Sequence, residues 1–331
     1  MNGGRFMNLA IFGAGKIVQE FLDMVKDIPE INLKALLSSE RSLDKNKDLI
    51  ATYNIDGVYT NEDEILKRTD VDTVYVALPN HLHYEFSKKA LEAGKHVICE
   101  KPFTLMLKEL EELEAIALEK DLVLIEAITN QYFANFAQLK EDLNDVGELK
   151  IIECNYSQYS SRYDAFKEGT ILPAFNPKMG GGSLMDINIY NIHLVVGLLG
   201  KPHRVEYYAN IEREIDTSGI LVMEYDQTKV VCIGSKDTSA PIKSTIQGTD
   251  GSLIINGPTN TLESYTKIIG KDTEEVIDLK VHPHRMYEEF IAFNRIIKEH
   301  DMDTVREKLT HSKIVMEVAE KALEDASIKL G

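Results

Sequence analysis

The sequence has few cysteines and few basic residues, and each shortage excludes a class of protein. Its three cysteines, Cys99, Cys154 and Cys232, lie far apart and never form a C-x-x-C pair, so neither a disulfide framework nor a cysteine zinc site is indicated. Lysine and arginine number 37 against 54 acidic residues, which gives a formal net charge of −17. So acidic a chain lacks the electrostatic footprint for binding a nucleic-acid backbone.

Long uncharged apolar runs are missing as well. Residues 1–6 lead directly into the apolar residues 8–12, which leaves no room for the apolar core of a signal peptide. The most apolar later stretch, residues 184–200, is interrupted by polar residues such as Asp186 and His193, so it fails the rule of about 18 uncharged apolar residues for a membrane span. We therefore expect a cytoplasmic protein with no membrane contact.

The 331 residues are 44% apolar, and at about 150 residues per domain they suffice for two folded domains. Up to residue 128, strand-like runs alternate with helical segments, which predicts βαβ units and a parallel sheet. Later, residues 204–281 contain successive strand-like runs with hairpin turns such as Asp250-Gly251. We predict domains at residues 1–128 and 129–331, with the C-terminal helices able to pack back on the first. Predicted strands are residues 7–12, 33–37, 73–78, 96–99, 123–127 and 149–157, and predicted helices include residues 84–93, 105–120, 133–143, 182–199, 285–299 and 303–329.

A glycine pair, Gly13 and Gly15, lies between the first predicted strand and an amphipathic helix. Glycines here permit a tight turn and the close approach of a dinucleotide pyrophosphate, whose charge meets free backbone N–H groups at the helix N-terminus. The third glycine of G-x-G-x-x-G is replaced by Val18, so a plain strand-to-helix turn is the alternative. The context favours dinucleotide binding. The predicted contacts are Gly13, Ala14, Gly15, Lys16 and Ile17.

The end of the second predicted strand bears on the choice between NAD and NADP. Enzymes that use NAD commonly place Asp or Glu there to bind the ribose, whereas this strand is followed by Ser38, Ser39, Glu40 and Arg41. Two hydroxyls and a guanidinium are donors that suit a 2′-phosphate. Glu40 lies close by, and a surface loop without a ligand is the alternative. We expect NADP, with NAD as the second choice, and contacts from Ser38, Ser39 and Arg41.

Two motifs follow the third and fourth predicted strands, where an open parallel sheet places its ligands. The first is P-N-H-L-H at residues 79–83, and the second is A-G-K-H-V-I-C-E-K-P at residues 93–102. Together they resemble the signature of the Gfo/Idh/MocA family, which is named for glucose-fructose oxidoreductase, inositol dehydrogenase and a rhizopine catabolism protein. Residues 180–190 resemble the family's G-G-G-x-x-x-D-x-G-x-[HY] element, and residues 248–252 resemble its later hairpin. The similarity spans nearly the whole chain.

This resemblance implies an α/β protein with an N-terminal doubly wound Rossmann domain and a C-terminal α/β domain with a large, mostly antiparallel open sheet. It also implies NAD(P)-dependent hydride transfer between the nicotinamide and a sugar-like or other small carbonyl or diol substrate. Family members commonly pair through the open sheet face, so a homodimer or homotetramer is expected, and the Lys101–Pro102 peptide is expected to be cis. Further cofactor contacts are expected at Leu78, Pro79, Asn80, His83, Glu100 and Lys101.

The resemblance also implies catalytic residues. Lys101 matches the family's active-site lysine, and Tyr190 matches a position held by His in inositol dehydrogenases and by Tyr in the dihydrodiol dehydrogenase and glucose-fructose oxidoreductase branches. Tyr190 beside Lys101 would supply the proton and the positive charge that a developing alkoxide needs, because a nearby cation lowers the pKa of a phenol. On a regular α-helix, Asp186, Tyr190 and His193 share one face, which makes Asp186 and His193 further candidates. Asp186 could equally face the helix dipole, and His193 could be a satisfied half-buried histidine.

The sequence departs from the family pattern at two positions. Asn188 replaces the usual glycine, which argues against a close approach of the substrate to the backbone there. His193 stands where inositol dehydrogenases carry a second aspartate, which disfavours an inositol substrate. No metal site is predicted, because the histidine pairs at 81/83 and 282/284 lack accompanying ligands. Two other classes of function stay open: an NAD(P)-binding regulator without turnover, and a glycosidase or lyase that removes and returns a hydride.

Overall fold

The computed structural model describes residues 6–270 and 273–331. Residues 1–5, with which the first predicted domain begins, and residues 271–272, within the predicted run of strands, lie outside the described residues. The chain divides into two compact units. Unit one comprises Met1–Ala127 and Glu289–Thr310, and unit two comprises Ile128–Glu288 and His311–Gly331. The predicted domains 1–128 and 129–331 stay a prediction, and the units differ from them in the placement of residue 128 and of residues 289–310.

Unit one is built on a six-stranded parallel sheet in the order β3-β2-β1-β4-β5-β6. The order reverses between β1 and β4, which is the arrangement of a Rossmann fold. The predicted doubly wound parallel sheet is therefore confirmed. Its strands are β1 (Met7–Phe12), β2 (Ile31–Leu37), β3 (Val58–Tyr59), β4 (Thr73–Val76), β5 (His96–Glu100) and β6 (Leu124–Ala127). The helices between them are α1 (Lys16–Val25), α2 (Leu43–Tyr53), α3 (Glu62–Leu66), α4 (His83–Glu92) and α5 (Leu107–Glu119).

The core of unit one follows from the composition of these elements. Strands β4 and β6 are buried at every residue, as expected for a parallel sheet covered on both faces. Helix α1 buries one apolar stripe that includes Phe21 and Met24. Another helix, α9 (Tyr287–Glu299), contributes Phe290, whose ring lies 4.5 Å from that of Phe21 and 5.2 Å from that of Tyr75. A late segment of the chain thus completes the core of the first unit.

Unit two contains an eight-stranded sheet in the order β14-β13-β12-β11-β7-β10-β9-β8. Only the β7–β10 pair is parallel among its described strand pairs, so the predicted mostly antiparallel sheet is confirmed. The strands are β7 (Leu149–Ser157), β8 (Arg204–Glu212), β9 (Ile215–Glu224), β10 (Lys229–Ser235), β11 (Lys243–Gly248), β12 (Gly251–Asn256), β13 (Tyr265–Ile269) and β14 (Thr273–Ile277). The remaining helices of the chain are α6 (Ala134–Asp142), α7 (Tyr163–Lys167), α8 (Ile189–Leu199) and α10 (Met302–Asp325).

One face of this sheet is buried and the other is open within unit two. Along β9, Leu221 and Met223 are fully buried, whereas Ile220 is 44% exposed. Ile220 lies opposite Tyr208 of β8 and Ile233 of β10, so these side chains share the open face. An exposed sheet face with a contiguous apolar centre is typical of an interaction surface. We call the apolar residues on the open face of strands β7 to β10 the open-sheet patch: Ile151, Tyr208, Ile220, Val222, Val231 and Ile233.

The most apolar segment of the chain is a core element of unit two. By length and composition alone, Pro177–Leu199 is long and apolar enough to span a membrane, although Asp186 and His193 interrupt it. However, 78% of its most apolar window is buried inside the fold. A helix buried in this way already has its apolar surface covered by protein.

Candidate active site

The glycine turn follows β1 and packs against the carboxyl end of β4. Gly13 has a φ of +117°, a conformation that side chains disfavour. A Cβ at this position would also collide with the carbonyl oxygen of Ala77, directly after β4. Only glycine lets these two strand ends come so close. They are the strands between which the sheet order reverses, where doubly wound sheets bind their ligands.

Gly15 caps the N-terminus of α1 and borders open space. A Cβ built at Gly15 would meet no heavy atom within 4 Å, and the first turn of α1 contains no acidic residue. Both features suit a pyrophosphate against the backbone N–H groups of the helix. Val18, at the third glycine position, is fully buried in the core, so the incomplete fingerprint leaves the cradle intact. The other predicted contacts are the exposed Lys16 and the half-buried Ala14 and Ile17.

The three residues predicted to bind the 2′-phosphate, after the end of β2, differ in their exposure. Ser38 is only 5% exposed; its hydroxyl donates to the carbonyl oxygen of Ser39 and accepts a hydrogen bond of 2.8 Å from Asn46. The Ser38 hydroxyl is thus engaged inside the turn, and its predicted contact with the cofactor stays a prediction. Ser39 and Arg41 are exposed, and within the described part of the chain no hydrogen bond or ion pair occupies the Arg41 guanidinium. Asn46, which the sequence analysis missed, braces this turn.

His83 braces the turn after β4 to the turn after β5. Its side chain is fully buried, and its ring nitrogens lie 2.8 Å from the carbonyl oxygens of Leu78 and Pro102. Burial lowers the pKa of His83, although the two carbonyl contacts oppose this. Both ring nitrogens thus face carbonyl oxygens in the interior, and the predicted cofactor contact at His83 stays a prediction. Pro79 is exposed, and Leu78 and Asn80 are half-buried, at the carboxyl end of β4.

Lys101 is half-buried and follows directly after β5, and its peptide bond to Pro102 is cis, as the family resemblance implied. The preceding Glu100 is 9% exposed; it accepts a hydrogen bond of 2.5 Å from the hydroxyl of Tyr75 and one of 3.3 Å from the backbone N–H of Lys101. A second buried carboxylate, Glu126, accepts a hydrogen bond of 3.1 Å from the backbone N–H of Phe103. These contacts fix the turn that carries Lys101. Tyr75 and Glu126 were missed, although each is a polar interruption in an apolar strand.

In unit two, a buried carboxylate anchors the segment that carries Asp186 and Tyr190. Asp216 on β9 is fully buried; it accepts hydrogen bonds from the backbone N–H of Leu184 at 2.6 Å and from the hydroxyl of Tyr207 at 2.7 Å. Burial raises the pKa of Asp216 to about 6. Gly182 has a φ of +106°, and a Cβ there would collide with the Asp216 carboxylate. The sequence analysis missed Asp216, whose partners lie far away along the chain.

The helix predicted over residues 182–199 is not a regular α-helix. Leu184–Asn188 forms a π-helical turn, and α8 begins only at Ile189. Hydrogen bonds from i to i+5 widen such a turn, so the argument that Asp186, Tyr190 and His193 share one α-helical face does not hold across it. Asn188, at the position of the family glycine, is buried and donates to the carbonyl oxygen of Cys232 on β10. It therefore ties the helix to the sheet.

The three candidates on this segment have different surroundings. Asp186 is partly exposed and forms an ion pair of 2.7 Å with Lys236. Tyr190 is 7% exposed. His193 is fully buried, with its Nδ1 2.9 Å from Nε2 of His311. The residue is more deeply buried than the alternative of a half-buried histidine expected, and its predicted catalytic role stays a prediction.

The candidates thus fall into two groups. Unit one carries the glycine turn, the β2 end and Lys101, whereas unit two carries Asp186 and Tyr190. No group of three or more histidine, cysteine or acidic side chains suited to a metal ion occurs among the residues that the structure describes. Each unit therefore presents its own set of polar groups, and those of unit one lie at the carboxyl ends of β1, β2, β4 and β5.

Comparison with known proteins gives the family. Residues 7–128 match an oxidoreductase family with an NAD-binding Rossmann fold, Gfo/Idh/MocA, and residues 137–254 match a C-terminal domain of the same family. A scyllo-inositol 2-dehydrogenase (NADP(+)) of Bacillus subtilis is 35% identical over 96% of this chain and 97% of its own. A trans-1,2-dihydrobenzene-1,2-diol dehydrogenase of Xenopus tropicalis is 26% identical over 83% of this chain and 81% of its own.

Solved structures agree on the fold. The 3-ketoreductase KijD10 of Actinomadura kijaniata, crystallised with NADP and TDP-benzene, superimposes with a TM-score of 0.82 over 96% of this chain and 98% of its own, at 22% identity. An aldose-aldose oxidoreductase of Caulobacter crescentus gives a TM-score of 0.79 over 97% and 98%, at 20% identity. Motifs, both units and sequence relatives lead to the same conclusion: the chain belongs to the Gfo/Idh/MocA family of oxidoreductases with an NAD-binding Rossmann fold.

Proposed function

We propose that the protein is an NADP-dependent dehydrogenase or reductase acting on a small polyol, sugar-like carbonyl compound or diol. The observation that carries this proposal is the arrangement within unit one: a glycine cradle at the point where the strand order reverses, and a braced Lys101 at the end of β5 in the same parallel sheet. When bound, the nicotinamide supplies or accepts the hydride. The relative from Bacillus subtilis, which acts on scyllo-inositol with NADP(+), supports this choice of chemistry.

The cofactor is bound by the backbone of the glycine turn and by the end of β2. Gly13 and Gly15 leave room for the pyrophosphate at the N-terminus of α1. Ser39 and Arg41, both exposed, bind the 2′-phosphate through a hydroxyl and a guanidinium. NAD is the alternative cofactor, because Glu40 next to Arg41 would tolerate an unphosphorylated ribose better than a phosphate.

Proton transfer accompanies the hydride step. In reduction, Tyr190 donates the proton to the developing alkoxide, and the ammonium of Lys101 stabilises the negative charge on that oxygen. In oxidation, Tyr190 accepts the proton from the substrate hydroxyl. Asp186 accepts a hydrogen bond from a neighbouring substrate hydroxyl and so orients the substrate. Polyols and diols offer such a second hydroxyl.

A substrate screen tests this function. The screen compares scyllo-inositol, a trans-dihydrodiol and an aldose, and we expect at least one of them to reduce NADP+ faster than NAD+, measured by nicotinamide absorbance. An inositol substrate would run against our expectation from His193, which lies buried beside His311 and away from the surface. The absence of turnover with all of these compounds, together with a rise in melting temperature on adding NADPH, would favour a regulator. Tightly held cofactor that is not consumed would favour a glycosidase or lyase.

The open-sheet patch is the proposed oligomer interface. A cytoplasmic location and a homodimer or homotetramer were expected, and both stay proposals. Placing a charge at the centre of an apolar interface costs several kcal/mol because the charge must lose its hydration, so Ile220→Asp should convert the oligomer to a monomer. Light scattering after size exclusion measures this. Ile171→Asp is the matched control, because Ile171 is equally exposed, at 45%, but lies off the sheet. A monomeric wild type, or an unchanged Ile220→Asp oligomer, would contradict the proposal.

A further inference from the structure

Lys236, directly after β10, is a buried lysine that the mechanism above does not use. Its side chain is 3% exposed, and its Nζ lies 2.7 Å from a carboxylate oxygen of Asp186. The same Nζ donates to the carbonyl oxygen of Ala174 at 2.5 Å and lies 4.3 Å from the ring centre of Phe175. An ammonium has three N–H donors. A carboxylate, a carbonyl and an aromatic face therefore surround the cation within unit two.

Because this lysine is buried, its ammonium does not contact a substrate directly. A role for the buried charge must therefore lie in its contacts with other residues. An unpaired buried cation is strongly unfavourable, and a paired one gains little net stability over an apolar residue. The Asp186 side chain is 34% exposed, so one end of the pair is open to solvent and the other end is enclosed. Because Ala174 and Phe175 hold the ammonium from a separate loop, Lys236 is a fixed point against which the carboxylate is held.

We propose that Lys236 is a positioning residue that holds the Asp186 carboxylate in one orientation for a substrate hydroxyl. The inference rests on the proposed function. It adds a residue that acts through Asp186 without touching the substrate. The ion pair of Asp186 and Lys236 has no net charge. A neutral pair suits an uncharged polyhydroxylated substrate better than an anionic one.

Unit two offers a matched control for loss of a paired lysine. Lys267 on β13 pairs with Asp142 and Asp145, and its side chain is 17% exposed. None of these three residues is a candidate site residue. Lys267→Met should lower the melting temperature while leaving kinetic constants near those of wild type, so it reports what loss of a structural ion pair alone does.

The first arm of the test uses the ligand-free protein. Melting temperatures are measured for wild type, Lys236→Met, Asp186→Asn and the double variant. Because the two charges depend on each other, the loss caused by Lys236→Met should be about half or less in the Asp186→Asn background. Equal losses in both backgrounds would overturn the proposed pairing. This arm needs no substrate, so it gives a result even if the proposed function fails.

The second arm measures oxidation of scyllo-inositol with NADP+. Lys236→Met should lower kcat/KM about tenfold or more, chiefly through a higher KM for scyllo-inositol, because a misaligned carboxylate weakens substrate binding. KM for NADP+ should stay within about twofold, and in the Asp186→Asn background the further loss should be less than about twofold. A loss no larger than that of Lys267→Met, or equal losses in both backgrounds, would refute the positioning role. If wild type does not oxidise scyllo-inositol, the proposed function fails for this substrate, and the ligand-free arm alone accepts or rejects the pairing.

Discussion

Tyr190→Phe and Lys101→Ala are each expected to lower turnover by roughly 10²-fold or more, which is the scale of general acid–base catalysis. The phenylalanine variant removes the proton donor and little else, because the ring that fills the buried position is kept. The alanine variant removes the charge that, in the proposed mechanism, stabilises the alkoxide. Single-turnover rates of nicotinamide absorbance, measured with a substrate that wild type accepts, report the chemical step.

The two losses should not add. If both side chains serve one proton transfer, the double variant should be little worse than the more damaged single variant. NADPH affinity should stay close to that of wild type, since the groups proposed to bind its pyrophosphate and 2′-phosphate lie at Gly13, Gly15 and the end of β2. Tyr225→Phe is a matched control, because it also removes a hydroxyl, one that donates to the carbonyl oxygen of Gly200. Near-full turnover by Tyr190→Phe, under conditions where chemistry limits the rate, would reject the assignment and favour an ordered water as donor.

Arg41→Ala should raise KM for NADP+ by about 10- to 100-fold, because a hydrogen bond to a charged group contributes about 1.5–3 kcal/mol. KM for NAD+ should change little, since an unphosphorylated ribose does not need the guanidinium. Before any substitution, NADPH should raise the melting temperature of wild type more than NADH at the same concentration. Both measurements test the binding of the 2′-phosphate by exposed groups at the end of β2.

Two further variants make the cofactor test specific. Ser39→Asp places a carboxylate beside the phosphate and should shift preference towards NAD+ even more strongly than Arg41→Ala, since like charges repel. Lys26→Ala, at the opposite end of α1, removes an exposed cation of the same unit and should leave both KM values unchanged. Equal effects of Arg41→Ala on both cofactors, or a wild type that prefers NADH, would show that Arg41 lies outside the cofactor site.

Continuous apolar runs and glycine turns made the sheet of unit one predictable. The observed β1 has the same bounds as predicted, and the other predicted strands agree to within about two residues at each end. The two-residue strand β3 and the polar helix α2 were not predicted, because neither has an apolar period long enough to detect. The π-turn at Leu184–Asn188 was also missed. Its cause is tertiary, since Asp216 on β9 binds the backbone of Leu184.

The candidate site residues likewise include some that the sequence could predict and some that it could not. Residues of local motifs, such as Gly13 and Lys101, could be predicted as site residues because a motif consists of neighbours in the chain, and their roles stay predictions. The residues that brace them could not, because their partners are distant: Lys236 pairs with Asp186, and Tyr75 binds Glu100. Motif membership was in turn no guide to exposure. His83 belongs to a motif at the cofactor edge, but its side chain lies in the interior.

Helix α9 has a consequence for synthesis on the ribosome. Phe21 and Tyr75 are made early, yet the ring of Phe290 packs against both of them. Strand β7 likewise has no partner until β10 and β11 have been made. Translation adds about 5–20 residues per second, so each of these surfaces stays unpaired for many seconds before its partner has been made. Unit one, whose first residues are made earliest, is thus completed only after most of unit two has been made, and uncovered apolar surface of this kind favours aggregation in the meantime.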